Sequence, residues 1–389
     1  MSAMKRLFQV MADKKASDIF MSVGAPINIK INGVAVPVNQ AIMTADTVRQ
    51  LLYEVLNERQ IKEFEDEMEL NTAISVEGVG SFRVSAFRQK GAPAVVVRYI
   101  PNLIPPIDTL GLPEIVKDVI MQKRGLILMV GATGSGKSTS LAAMIDYRNE
   151  RKSGHILTLE DPVEFIFQNK KSIVNQREVG TDTQTLETAL KNALRQAPDC
   201  ILIGEIRDKQ TMAMALAYAQ SGHLCLATLH ANNSYHAMNR IINFYPLETR
   251  ASLLLDLAAA LQAVISLRLV RIKSGARVPA VEILLNTRNI SELIEKGEIS
   301  EIKEALEKSL APGSQTFEQA LFKLFMEGKI TQDEALANAD SASNMLWLIN
   351  QATAGELSLN GAPKPPAKPS DEKKDTLSGF TDFKINVNA

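Results

Sequence analysis

The residues best suited to chemistry lie in one short stretch, from Gly131 to Ser138. Its spacing is G-x-x-x-x-G-K-S, and it follows the apolar run 126–130 and precedes a helix-like segment. Glycines at this spacing let consecutive backbone N–H groups point at phosphate oxygens. We therefore predict a phosphate loop, to which the N-terminus of the following helix adds partial positive charge.

Two side chains of this stretch have specific roles in such a loop. We expect Lys137 to bring its charge to the β- and γ-phosphates of a nucleotide, and the Ser138 hydroxyl to bind Mg²⁺. A simple glycine-rich turn is the alternative, and the strand, loop and helix order argues against it. The predicted nucleotide-binding residues are Gly131, Ala132, Thr133, Gly134, Ser135, Gly136, Lys137, Ser138 and Thr139.

Acidic residues follow two other apolar runs, in segments 158–165 and 199–208. The carboxyl ends of parallel strands meet at one ligand crevice, so we expect Glu164 to activate a water and Glu205 to support the Mg²⁺ shell. Gly204 stands where an aspartate commonly precedes this glutamate, so no aspartate ligand is available there. A solvated acidic turn is the alternative for the first segment.

Histidines and arginines complete the candidate site. His230 ends an apolar run and is predicted to sense the terminal phosphate, whereas His223 at its start is equally well read as an ordinary strand residue. Lone strand arginines such as Arg83, Arg88 and Arg98 usually face solvent. In a ring of chains, they could instead reach the phosphates of a neighbouring site as arginine fingers.

The composition excludes several classes of protein. The chain has 389 residues, a net charge of −1 and a single tryptophan, Trp347, so neither a basic channel nor an aromatic platform for nucleic acid is expected. No apolar stretch approaches 18 residues, and the N-terminus does not read as a signal peptide. We expect a cytoplasmic protein without membrane insertion, in which Cys200 and Cys225 are reduced core residues.

The pattern of apolar residues predicts an α/β protein. A short amphipathic helix and four strands, with helical spacing over 44–67, indicate a small α+β domain, followed by a proline-rich linker. Strands then alternate with helices, which is typical of a mainly parallel sheet, and helices dominate after Arg288. The predicted segments are residues 1–100, the linker 101–113, the second domain 114–353 and a disordered Pro/Lys-rich tail 354–389.

The strands that we predict are the following. In the first domain they cover residues 27–31, 72–76, 81–87 and 94–100; in the second, residues 126–130, 155–160, 200–205, 224–230 and 278–285. The tail ends with Phe380, Phe383 and Ile385, which could form a docking peptide, although such a terminus more often makes no specific contact.

With these segments in order, the chain resembles the secretion-superfamily hexameric ATPases, and within them the type IV pilus retraction group of PilT and PilU. The matching signatures are 16–19 (Ala-Ser-Asp-Ile), the phosphate loop, 159–165 (Asp box), 203–208 (Walker B) and 222–230 (His box). The resemblance implies a PAS-like first domain, a RecA-like second domain and a ring of six chains that hydrolyses ATP with Mg²⁺. It also implies that Glu164 is the general base and that Arg83 and Arg98 act in trans.

Departures from the pattern favour the PilU branch of that group. Assembly ATPases carry a four-cysteine zinc module, which two cysteines cannot supply. Segment 286–294 replaces an Ala-Ile-Arg-Asn-Leu-Ile type motif that PilT-like proteins need for retraction. The resemblance then implies an accessory motor that works with a PilT-like ATPase and a PilC-like platform protein, in the cytoplasm at the inner membrane. Alternatives are a non-catalytic subunit that stabilises a PilT ring, an assembly ATPase and a DNA-translocating ring.

Overall fold

A computed structural model of the chain describes residues 2–31, 33–100, 103–309 and 311–353. The described residues divide into two compact units, residues 2–270 with 277–316 and residues 271–276 with 317–353. The predicted tail 354–389 and its docking peptide lie outside the described residues, as do the first two residues of the predicted linker, Pro101 and Asn102. The predicted α/β class is confirmed, because the described chain contains both helices and strands, and the strands form two sheets.

The first sheet lies between residues 18 and 100, where the described chain forms six strands in the order β3-β2-β1-β6-β5-β4. All neighbouring pairs in this order are antiparallel. The four predicted strands are present, and two short ones, β1 and β3, were not predicted. The strands are β1 (Asp18–Met21), β2 (Asn28–Ile31), β3 (Val34–Pro37), β4 (Glu69–Val76), β5 (Gly80–Gln89) and β6 (Ala92–Ile100).

Three helices pack on this sheet: α1 (Ala3–Asp13), α2 (Ala45–Tyr53) and α3 (Glu58–Glu67). Ser2 caps α1, and the helix buries an apolar face of Met4, Phe8 and Met11. The Phe8 ring stacks on Phe82 of β5, with 4.0 Å between ring centroids. The amphipathic N-terminal helix is therefore part of the core, as its spacing predicts.

The second sheet has seven strands among the described residues, in the order β13-β12-β7-β11-β10-β8-β9. Every neighbouring pair from β12 to β9 is parallel. The predicted strands are confirmed, while β9 and β12 were not predicted. The strands are β7 (Gly125–Val130), β8 (Gly154–Glu160), β9 (Ser172–Glu178), β10 (Cys200–Ile203), β11 (Leu224–Leu229), β12 (Leu261–Arg271) and β13 (Arg277–Leu285).

Helices bury both faces of this sheet. Alternate residues of β7 belong to two separate apolar clusters, Leu128 to one and Ile127 to the other. Cys200 and Cys225 are free and fully buried, one in each cluster, which confirms the prediction for both. The helices are α4 (Ile115–Ile120), α5 (Lys137–Arg151), α6 (Leu186–Ala193), α7 (Lys209–Gln220), α8 (Ser234–Asn243), α9 (Leu247–Ala260), α10 (Arg288–Lys296) and α11 (Ile302–Glu307).

Between residues 317 and 353, the described part of the second unit is mainly helical, as predicted for the region after Arg288. It contains α12 (Phe317–Met326), α13 (Gln332–Asn338) and α14 (Ala342–Thr353). Met345 and Ile349 of α14 are buried, whereas Trp347 is exposed. Across the described ranges, no helix combines the length and the apolar character needed to cross a membrane.

The packing of α1 leads to a testable prediction. Phe8→Ala is expected to lower the free energy of unfolding by about 3–5 kcal/mol, because it removes a fully buried ring and leaves a cavity against Phe82. Urea unfolding followed by circular dichroism measures this change. Val34→Ala is the matched control, since its side chain is exposed, and should cost less than about 0.5 kcal/mol. Equal transitions for the two variants would contradict the assignment of α1 to the core.

Candidate active site

The phosphate loop connects the buried strand β7 to helix α5, and its glycines are required by geometry. Gly136 precedes α5 with φ +94°, a left-handed conformation that favours glycine. At Gly131, a Cβ atom would lie only 2.4 Å from Ser135 Oγ and 2.7 Å from the Leu267 carbonyl oxygen. These two positions therefore exclude larger residues, as the spacing of the motif predicts.

The first turn of α5 has the features of an anion site. No side chain caps the helix at Gly136, so the early N–H groups of a 15-residue helix have no capping acceptor from that position. The hydroxyl of Ser135 is also buried and has no hydrogen-bond partner among the described residues. A phosphate group would supply acceptors for these donors, so the loop fits the nucleotide that its sequence predicts.

Lys137 lies over this loop with only 8% of its surface exposed. Its Nζ donates to the carbonyl oxygens of Gly131, at 2.8 Å, and Ala132, at 2.9 Å. Burial lowers the pKa of Lys137, and the charges of Glu205 and Glu164 oppose that shift. Because burial disfavours the ammonium ion, a bound phosphate would stabilise it at this position.

The acids predicted from the sequence come together beside the loop. Ser138 Oγ donates to Glu164 Oε1 at 3.0 Å. Glu205 accepts from Arg207 Nε at 2.7 Å, and its other carboxylate oxygen lies 3.4 Å from His230 Nε2. Glu164, Glu205 and His230 follow three different strands, β8, β10 and β11. Their convergence follows from the parallel order of those strands, as expected for an open α/β sheet.

The structure explains why glycine precedes Glu205. The Gly204 amide donates to the Leu159 carbonyl at 2.8 Å, where β10 runs beside β8. A Cβ at this position would lie 3.1 Å from that carbonyl oxygen and 3.3 Å from Glu160 Cα. The Thr228 hydroxyl in turn donates to the Gly204 carbonyl oxygen. The close approach of the two strands therefore disfavours a larger residue at this position.

The phosphate loop and the acids beside it line a cavity of about 1010 Å³. Gly131 and Ser135 are buried and do not line it, and Ala132, although exposed, does not line it either. His223 is also absent from its walls and lies 3.0 Å from Ser221 Oγ at the start of β11. The predicted site residues that do line it are Thr133, Gly134, Gly136, Lys137, Ser138, Thr139, Glu164, Glu205, His230, Arg83 and Arg98.

The two arginines come from the first sheet of the same chain. Arg83 on β5 and Arg98 on β6 pair directly across the strands. Arg98 Nε donates to the buried carboxylate of Asp18 at 2.9 Å, while Arg83 Nε is buried without a hydrogen-bond partner in the described chain. Arg88 lies elsewhere and pairs with Glu65. Action of Arg83 and Arg98 in trans stays a prediction, whereas their place in the cavity of their own chain favours action in cis.

Several residues of the site were not found from the sequence. Arg207 and Arg277 line the cavity, and Gln176 of the unpredicted strand β9 contacts the loop that carries Glu164. Glu160, by contrast, is one of the acids of the predicted segment 158–165, and it lines the cavity as well; burial raises its pKa, against hydrogen bonds from Thr158 and Gln176. Strand β9 contains only two apolar residues, next to each other, so its sequence has no alternation that would have predicted the strand or the contact of Gln176.

The site offers Mg²⁺ few direct protein ligands. Within the described ranges, no group of three or more His, Cys, Asp or Glu side chains is arranged to hold a metal ion. The Ser138 hydroxyl faces the cavity beside the predicted phosphate position, and Glu205 lies among the acids around it. This set fits an ion that is bound mainly by phosphates and water, which is the usual preference of Mg²⁺.

A phosphate loop with acids at adjoining strand ends defines the class of P-loop nucleotide-binding proteins. A family model described as type II/IV secretion system protein matches residues 2–297. The chain is 47% identical over 346 residues to the type IV pilus ATPase PilU of Pseudomonas aeruginosa, covering 89% of this chain and 91% of that protein. It is 39% identical to the pilus ATPase PilT of the same organism, over 86% of this chain and 97% of PilT.

A crystal structure titled as the pilus retraction motor PilT with bound ADP matches this fold with a TM-score of 0.83 at 38% identity. The match covers 88% of this chain and 98% of that one. The chain therefore belongs to the type II/IV secretion system protein family and, within it, to the type IV pilus ATPases. This confirms the family that the motifs predict.

The geometry of Lys137 leads to the second prediction. Lys137→Ala is expected to lower kcat for ATP hydrolysis by at least about 100-fold, because it removes the buried cation of the phosphate loop. A phosphate-release assay on purified protein measures the effect. Lys123→Ala, which removes an exposed lysine that does not line the cavity, is the control and should leave kcat unchanged. Wild-type hydrolysis by the Lys137 variant would contradict this assignment.

Proposed function

We propose that the chain is a hexameric, ATP-hydrolysing motor that powers type IV pilus retraction as an accessory, PilU-type motor working with a PilT-like ATPase. The observation that supports this most is the meeting of Lys137, Glu164 and Glu205 at one cavity. Similarity to PilU over nearly the whole length of both chains supports a role in the type IV pilus system. A chain that retains all the groups needed for ATP hydrolysis is better suited to act as a motor than to serve only as a non-catalytic subunit that stabilises a PilT ring.

Each residue of the site has its own role in ATP hydrolysis. Glu164 takes a proton from the attacking water, and Lys137 and the loop amides hold the phosphates of the substrate ATP. Ser138 binds Mg²⁺ and Glu205 supports its water shell; the ion, when bound, neutralises charge that develops on the phosphates. His230, 3.4 Å from Glu205, senses whether the terminal phosphate is present. Arg83 and Arg98 stabilise negative charge from the opposite wall.

Force arises between two domains in this proposal. The antiparallel sheet with its helices supports a PAS-like first domain of residues 1–100, and the parallel sheet with its phosphate loop supports a RecA-like second domain of residues 114–353. The linker 101–113 joins them. Because groups on both sheets line the cavity, loss of a phosphate changes the contacts between the two sheets. Such a change is the local event that a motor converts into movement.

The motor works in the cytoplasm, peripheral to the inner membrane. A PilC-like platform protein receives the movement of the ring, and the PilT-like ATPase shares the load. The net charge of −1 gives no general attraction to nucleic acid, which argues against a DNA-translocating ring.

The role of Glu164 is tested by an isosteric change. Glu164→Gln is expected to lower kcat by about 100-fold or more, since it removes the base, while the affinity for ADP changes less than about 3-fold because Lys137 and the loop remain. Single-turnover ATP hydrolysis and binding of a fluorescent ADP analogue measure the two quantities. Glu77→Gln, in an exposed turn, is the control. Retained hydrolysis by the Glu164 variant would overturn its assignment as base.

Mixed rings decide whether the arginines act in cis or in trans. Arg83→Gln and Lys137→Ala chains are each expected to be inactive alone. Because Arg83 lines the cavity of its own chain, rings assembled from both variants should hydrolyse ATP no faster than the average of the two pure rings. If Arg83 acted on a neighbouring site, mixed rings would contain complete sites and recover activity. Steady-state ATPase rates after co-assembly at several ratios distinguish these results.

A further inference from the structure

Gln176 lies on β9, the strand at the edge of the parallel sheet. In the register of β8 and β9, Gln176 pairs with Thr158, two residues before the end of β8. The chain leaves β8 at Glu160 and passes through Glu164 before it returns in β9. Gln176 is therefore placed beside the same loop that carries the proposed base, although Gln176 and Glu164 are twelve positions apart in the sequence.

The amide of Gln176 holds this loop at two points. Its Nε2 donates to the Phe165 carbonyl oxygen at 2.7 Å, and its Oε1 accepts from the Phe167 amide at 2.9 Å. A donor and an acceptor on one side chain thus satisfy the backbone on both sides of residue 166, as a neighbouring strand would. The same Nε2 also lies 3.3 Å from Glu160 Oε1.

The loop has little other support at these positions. In the described part of the chain, no backbone–backbone hydrogen bond is found for residues 163–167. The backbone groups that do bond, which include the Val163 and Phe167 amides and the Phe165 carbonyl, bond to side chains. Glu178 accepts from the Val163 amide at 3.0 Å, on the other side of Glu164. The Glu164 amide itself donates to the Glu160 carboxylate at the end of β8. The position of the Glu164 backbone therefore depends on side chains at the ends of β8 and β9, and Gln176 makes two of the contacts on the β9 side.

The neighbours of Glu164 connect this support to the cavity. Phe165 and Phe167 both line the cavity and pack with the apolar cluster on one face of the sheet. The Glu164 carboxylate meets Ser138 at 3.0 Å, so a small displacement of residue 165 moves the carboxylate relative to the phosphate loop. Errors of about 1 Å in the position of a reacting group can cost about 100-fold in rate.

We propose that Gln176 is a positioning residue for ATP hydrolysis, which sets the location of Glu164 by holding the backbone at Phe165 and Phe167. The inference rests on the proposed function, in which Glu164 is the general base. Gln176 itself does not line the cavity and contributes no group to the reaction. Its effect is therefore expected on the hydrolysis step and not on nucleotide binding.

The test compares Gln176→Met, which keeps the length of the side chain and removes both hydrogen bonds, with the wild type. We expect kcat to fall by about 10-fold to 100-fold while KM for ATP and the affinity for ADP change less than about 2-fold, since Lys137 and the loop glycines are untouched. Gln176→Glu keeps the acceptor for the Phe167 amide but puts a carboxylate oxygen beside the Phe165 carbonyl and the Glu160 carboxylate, so its kcat should fall at least as far as that of Gln176→Met. Parallel losses in kcat and ADP affinity would overturn the proposal and indicate general unfolding.

A double mutant separates positioning from a merely structural role. In the Glu164→Gln background, Gln176→Met should cost less than about 2-fold, because a side chain that acts through Glu164 has nothing left to position. A further loss of 10-fold would overturn the proposal. Asn175→Leu on the same strand is the control: its amide contacts His155, away from the loop, and kcat should be unchanged.

Failure of the inference differs from failure of the proposed function. If Glu164→Gln is inactive and Gln176→Met hydrolyses ATP at the wild-type rate, only the role of Gln176 is wrong. If Glu164→Gln retains wild-type hydrolysis, the assignment of the base is wrong, and the positioning role falls with it.

Discussion

The parallel pairing of β7, β11, β10 and β8 is the constraint on which the site depends. Parallel strands end at the same edge of a sheet, so the phosphate loop after β7 meets the acids after β8 and β10 and the histidine after β11. The strands also have to approach closely, and Gly204 allows this where β10 meets β8, because a Cβ would lie 3.1 Å from the Leu159 carbonyl oxygen. The chemistry at this edge therefore follows from backbone pairing before any side chain is considered.

The cavity concentrates opposing charges. Lys137, Arg207 and the two arginines of the first sheet line it together with Glu164 and Glu205, and burial disfavours the charge on Lys137. The acids partly offset this cost, and Lys137 bonds to carbonyl oxygens of its own loop. A polyphosphate with Mg²⁺ would complete the balance of charge. The loop of the chain by itself therefore has the shape and the donors that a nucleotide requires.

The sequence predicted some elements better than others for physical reasons. The phosphate loop and the buried central strands were recognised because their spacing and apolar runs are local properties. Strand β12 was missed because it continues directly from α9, and an apolar run of this kind does not distinguish a strand from a buried helix. Strand β9 was missed because it is a polar edge strand, and the contacts of Gln176 with the loop lie outside any local pattern.

The sequence by itself determined the nucleotide site: a G-x-x-x-x-G-K-S loop between a strand and a helix, with acids and a histidine at the ends of later strands. Only the tertiary structure decided which groups share the cavity. Arg83 and Arg98 lie on the wall of the chain's own site, Arg88 and His223 do not, and Gln176 supports the loop of Glu164. The physical reason is that local spacing fixes the type of each element, whereas strand order and register, set by long-range pairing, fix which elements meet.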